Sequence, residues 1–241
     1  MSDHAAISPH SEDVTRQGGR RGFLADWSSD QRAFKSASWK KAMIWVFLLS
    51  DTFIFGCFLL SYMTARMSTT VPWPNPAEIF ALEIGGQSIP LILIAIMTFV
   101  LISSSGTMAM AVNFAYRQDR RRTTALLLAT AFFGALFVSM QAFEWTNLIT
   151  EGVRPWGNPW GAAQFGASFF LITGFHGTHV TIGVIFLLVT ARKVWRGDFD
   201  TGRKGSLTGR PGTYENVEIL GLYWHFVDLV WVFIFALFYL W

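Results

Sequence analysis

The chain has 241 residues, of which 52% are hydrophobic, 16% aromatic and only 15% charged, with a net charge of +3. A soluble domain carries about 25% charge, so this composition excludes a water-soluble globular fold and points to a polytopic membrane protein. Cys57 stands alone, which excludes an internal disulfide and a cysteine-based metal cluster.

Residues 1–38 mix Ser, His, Gly and Arg with few large apolar side chains, and read as a flexible cytoplasmic arm without an apolar signal-peptide core. Residues 39–241 read as the transmembrane domain. It contains five apolar runs, at about 42–64, 89–115, 124–148, 163–194 and 216–241. The expected fold is all-α, a bundle of five transmembrane helices. The second and fourth runs exceed what a bilayer needs, so tilt or a protruding end is expected there.

Basic residues alternate between loops. Seven Lys and Arg precede the first run, Arg66 follows it, four lie at 117–122, Arg154 stands in the next loop and six lie at 192–210. Hence 17 of the 19 fall on one side, which predicts a cytoplasmic N-terminus and a periplasmic C-terminus. The basic blocks are therefore topology signals, and no nucleic-acid partner is implied. The opposite loops carry Pro72, Trp73, Pro74 and Pro155, Trp156, Pro159, Trp160, which suit turns at headgroup level.

Polar residues within the runs are costly without partners. Asp51 comes nine residues into the first run, roughly 14 Å deep at about 1.5 Å per residue. It is either a carboxyl hydrogen-bonded to a neighbouring helix or part of a proton relay. The fourth run holds LITGFHGTHVTIG, with His176 and His179 three apart, and Gly166, Gly174, Gly177 and Gly183 to admit close helix approach. The fifth carries Glu218, Gly221, His225, Asp228 and Val232 at intervals of three or four, a polar seam that must face protein. His176 is expected to join the His225/Asp228 seam. His179, about 60° away around its helix, is expected at a subunit or lipid contact. Glu144, near the outer end of the third run, reads as an interface anchor within reach of water.

A metal site at His176, His179 and Asp228 is the weaker reading, because the two histidines are not aligned. Haem-copper chemistry cannot be housed here, since only three histidines are intramembrane. A proton-coupled transporter is disfavoured by the absence of an inverted repeat or a broken helix.

Taken together, WVFLLSDTFIFG, ISSSGTMAMAVNFAYRQDRR, QAFEWTNLITEG, SFFLITGFHGTHVTIG and VEILGLYWHFVDLVWVFIF resemble subunit III of the respiratory haem-copper oxidases. The resemblance covers about 42–241. It implies a non-catalytic subunit of a proton-pumping terminal oxidase in a bacterial inner membrane, with no cofactor of its own and with haem and copper in partner subunits. It further implies packing on subunit I, contacts with subunit II and small subunits, structural phospholipid, and support of proton uptake and sustained turnover. Asp51, Glu144, His176, His179, Glu218, His225 and Asp228 match that family's polar positions.

Three departures matter. Mitochondrial-type members have seven spans, and five-span chains are similar to those of quinol oxidases. Asp51 stands where cytochrome c oxidases usually carry Glu, and Asn113 and Phe114 replace a histidine pair found in many members. TGFHG and Glu218 favour cytochrome c as electron donor by a small margin. A quinol oxidase is the alternative, and an accessory chain of a nitric oxide reductase a remoter one.

Overall fold

The computed structural model describes residues 38–84, 87–200 and 214–241, with the side chains of 82–90 left aside. The expected N-terminal arm, apart from Ser38, lies outside the described residues. Two compact units are delimited, 1–45 and 46–241. Of the first, the described part is 38–45, which holds the opening turns of a helix. The second holds the rest of that helix and every later element.

Five helices are long and apolar enough to cross a membrane. They are α1 (Trp39–Ser68), α3 (Ile92–Tyr116), α4 (Arg120–Thr150), α5 (Ala163–Arg196) and α6 (Glu215–Phe235). A π-helical turn, Ala236–Leu240, continues α6. The short α2 (Pro76–Ile79) starts at Asn75, whose side chain accepts from the Ala77 N–H, with proline in the first helical position.

The helices run further than the apolar runs, because their ends are set by capping and not by hydropathy. Asp119 accepts from the Arg122 N–H at 3.2 Å, so Arg120–Arg122 form the first turn of α4 instead of a loop. Only three residues then join α3 to α4, and Gln118 takes a left-handed conformation to close them. At the other end Gly197 supplies the left-handed cap of α5, with φ +74. The second span starts later than the apolar run suggests. Gln87–Pro90 pair with Ala81–Ile84 as strands β2 and β1 of an antiparallel hairpin, and the helix begins at Ile92. The hairpin lies in the connection before α3, and the membrane-crossing part is all-helical as expected.

α3, α4, α5 and α6 close into a ring, α3 and α5 each lying against both α4 and α6. Its core is layered by side chains seven residues apart on α6. Trp224 is fully buried and donates its indole N–H to Ser104 Oγ at 2.9 Å. A Cβ at Gly134 of α4 would lie 2.5 Å from its ring, and one at Gly183 of α5 would lie 2.8 Å from it. The ring therefore fills a slot that three helices build, and only glycine fits its walls. Two turns on, Trp231 donates to Thr98 Oγ1 at 3.0 Å and meets Phe137 edge-on, centroids 4.7 Å apart. A further two turns on, Phe238 stacks on Tyr62 of α1 at 3.9 Å.

α1 buries one narrow stripe, Leu48, Asp51, Phe55 and Tyr62. Val46, Leu49, Phe53 and Leu60 on its other faces are exposed. An apolar face of this kind suits lipid or another chain, because it has nothing to hydrogen-bond.

Candidate polar network

Two of the predicted polar residues meet at the α1–α5 contact. Asp51 Oδ2 lies 3.3 Å from His179 Nε2, and both side chains are largely buried. His179 Nδ1 sits 2.8 Å from the Phe175 carbonyl one turn back. A carbonyl only accepts, so this bond holds a proton on Nδ1. Nε2 therefore faces the Asp51 carboxyl at ion-pair distance, although Oδ2 has no aligned hydrogen-bond partner among the described residues. Phe55 and Phe175 rings flank the imidazole at 5.7 and 4.7 Å, and the Tyr223 hydroxyl donates to the His179 carbonyl at 2.9 Å.

The two histidines have different environments. His179 lies against Asp51 and stays partly exposed. His176 is fully buried, and among the described residues neither ring nitrogen has a hydrogen-bond partner. It stacks on Trp231 at 5.4 Å and meets Phe137 edge-on at 5.8 Å. It touches the fifth span through the Trp231 ring and makes no hydrogen bond to His225 or Asp228. The reason is angular. Three residues of helix turn the side chain by about 300°, enough to send His176 into the ring of helices and His179 towards α1.

On α6 the seam is arranged around Ser105 of α3. His225 Nδ1 lies 2.6 Å from Ser105 Oγ, which is also beside Asp228. Asp228 is buried and its carboxylate oxygens have no well-aligned partner among the described residues. Glu218 is half-buried in the first turn of α6, where the helix N-terminus favours a carboxylate.

Glu144 corrects another expectation. It is buried, not facing water, and accepts from Gln141 Nε2 at 2.6 Å. The Tyr239 hydroxyl closes over it, 3.3 Å from each oxygen. The Gln–Glu spacing of three could have signalled the first bond. The second depends on the π-turn, for which the sequence has no plain sign. Trp224, Trp231 and Ser105 complete this arrangement; the spacing of seven between the two tryptophans marks them in the sequence, and nothing local marks Ser105.

Among the described residues, no group of three or more His, Cys, Asp or Glu side chains is placed to hold a metal ion. Beyond the spans, the Tyr214 hydroxyl donates to Asp200 Oδ1 at 3.1 Å, and Arg120 pairs with Asp200 Oδ2 at 3.4 Å. Burial, and then the Asp200 carboxylate, push the Tyr214 hydroxyl up to about 12. A phenol whose pKa is raised on folding lends stability below its unfolded value of about 10, and loses it as pH rises towards 12. Alkaline melting curves should therefore show wild type losing stability relative to Tyr214→Phe between about pH 10 and 12, with a constant difference below that range.

A family model described as cytochrome c oxidase subunit III matches residues 29–241. The chain is similar to the probable quinol oxidase subunit 3 of Staphylococcus aureus (strain USA300), 29% identical over 201 residues, 83% of this chain and 88% of that protein. The protein of the same name from Staphylococcus epidermidis (strain ATCC 35984) is 28% identical over 200 residues, with the same coverage of both chains.

Proposed function

The chain belongs to the cytochrome c oxidase subunit III family, and on that footing we propose that it is the non-catalytic subunit III of a proton-pumping haem-copper terminal oxidase. Its setting would be a bacterial inner membrane, with the N-terminus cytoplasmic as the alternation of basic loops requires. Its main partner would be subunit I, with subunit II and small subunits beside it, and haem and copper held by those chains. It would bind structural phospholipid, support proton uptake and prolong turnover during reduction of O2 to water. One observation carries this reading: the family match takes in all five spans and not a single motif. The buried Asp51–His179 pair, two titratable side chains 3.3 Å apart, is the group in this chain best suited to the proton-related part.

Cytochrome c is the donor favoured by TGFHG and Glu218. Quinol is the second reading, supported by the five spans, by Asp51 and by the names of the staphylococcal relatives. The test is to purify the native complex through a tag on this chain, identify its partners, and assay O2 uptake with reduced cytochrome c and with a quinol in parallel. Co-purification with a haem-copper subunit I, and metal assigned only to partner chains, is the expected result. A catalytic partner of another class, or metal held by His176 or His225, would overturn it.

A further inference from the structure

Half-way along α6 an imidazole edge stands at the surface of the bundle. His225 comes ten residues after Glu215, the first of α6. At about 1.5 Å per residue that is roughly 15 Å from the helix start, half the roughly 30 Å of a hydrocarbon core. Its Nδ1 is taken by Ser105 Oγ of α3 at 2.6 Å. Its Nε2 makes no hydrogen bond among the described residues, and the half-buried ring leaves that nitrogen outside the closed interior.

The contacts of α6 fix which way this edge points. Trp224 and Trp231 are turned into the ring of helices. Gly221 lies against α3, where a Cβ would be 2.9 Å from the Val112 side chain, and Asp228 stands beside Ser105. His225 is turned by about 40° from Gly221, so it sits at the outer margin of the α3–α6 contact. On α3 that margin has no bulk. Gly106 follows Ser105, Ala109 comes one turn after it, and both are exposed. Nothing lies within 4 Å of a Cβ built at Gly106. Ile102, Leu229 and Val232, all exposed, form an apolar rim around this floor.

We infer that this α3–α6 face is the docking surface for a transmembrane helix of a partner subunit, which sets a hydrogen-bonding side chain against His225 Nε2. Acyl chains have nothing to offer an imidazole nitrogen, and headgroups and bulk water lie half a bilayer away. Its complement therefore comes from protein. The small residues beside it let a second backbone approach closely, as helix pairs in membranes require. The incoming helix lies over Gly106 and Ala109, between Ile102 and Leu229. Its polar group is either a donor or an acceptor. With Ser105 donating to Nδ1, the Nε2–H donates across the interface; with Ser105 accepting from Nδ1–H, Nε2 accepts. The bond continues the row Asp228, Ser105, His225 out of this chain. The inference deepens the partner part of the proposed function by assigning it a face, and rests on that reading for the existence of a membrane partner.

The test uses the native complex, purified through a tag on this chain. Photoreactive p-benzoylphenylalanine placed at Gly106, and separately at Leu229, should crosslink to one transmembrane segment of a partner subunit. The adducts should lie within a helical turn of a residue whose side chain can hydrogen-bond. His225→Phe should speed loss of the partner in detergent about three- to thirtyfold, the range for one intramembrane hydrogen bond, and His225→Gln should recover part of it. Gly106→Leu carries the test even where His225→Phe fails to fold, because its side chain points away from its own chain. The isolated Gly106→Leu chain should melt as wild type while the complex loses its partner. Adducts only with lipid or with a second copy of this chain, or a Gly106→Leu complex as durable as wild type, would overturn the inference. A crosslinked partner that is no oxidase subunit would instead refute the proposed function, and the same adducts would still establish the docking face.

Discussion

Gly134→Ala is expected to prevent this chain from forming its native bundle. The new methyl carbon would lie 2.5 Å from one atom of the Trp224 ring and 2.8 Å from the Val184 side chain, both well inside contact distance. The ring has no route of escape. Its N–H is held by Ser104 on α3, and its opposite edge already lies against Gly183 on α5, where a Cβ would also be 2.8 Å away. Overpacking of a filled core costs about 1–3 kcal/mol and sometimes more, and a clash with a ring held on three sides belongs at the upper end. Gly183→Ala should behave alike. Gly106→Ala is the control, because nothing lies within 4 Å of its Cβ position and the residue is exposed. The measurement is the amount and melting temperature of purified chain. A Gly134→Ala protein as stable as the Gly106→Ala control would mean that Trp224 does not occupy this slot.

Asp51→Ala is expected to leave the initial rate of the assembled oxidase nearly unchanged and to reduce, several-fold, the turnovers completed before inactivation. The substitution strips His179 Nε2 of its partner inside the α1–α5 contact. Leaving a buried polar group unsatisfied costs about 1–3 kcal/mol. Because the two groups act as one unit, His179→Ala should give the same phenotype. The double variant should lose little more than the worse single, the signature of a coupled pair. Additive losses, or an unshortened turnover lifetime in Asp51→Ala, would assign the pair to packing alone.

These expectations differ in how much of them the sequence carried. The polar residues themselves stood out, since Asp51, His176, His179, His225 and Asp228 interrupt runs that are otherwise apolar. Their pairing did not. The sequence assigns His176 to the His225/Asp228 seam and His179 to a subunit or lipid contact, yet His176 meets aromatic rings without a hydrogen bond and His179 lies on Asp51. Glu144 looked like a surface carboxylate because it lies near the end of a run. Its burial comes from Tyr239, 95 residues away in sequence, which no local pattern predicts. The helix ends also strayed from the hydropathy limits, since caps such as Asp119 and Gly197 act on backbone groups that hydropathy does not register.

By itself the amino-acid sequence determined that this chain crosses a membrane five times, which residues would be costly there, and to which family its motifs belong. The first two arise from transfer energies and helical periodicity, which are properties of one segment at a time, and the third from the resemblance of its motifs. The tertiary structure decided which helix lies against each face. A helix can turn about its axis at little cost to its own hydrogen bonds, so its rotation is set by what its neighbours can accept. Here the neighbours are the Trp224 and Trp231 layers, walled by Gly134, Gly183 and Phe137, and the polar partners are fixed by the rotation those layers impose.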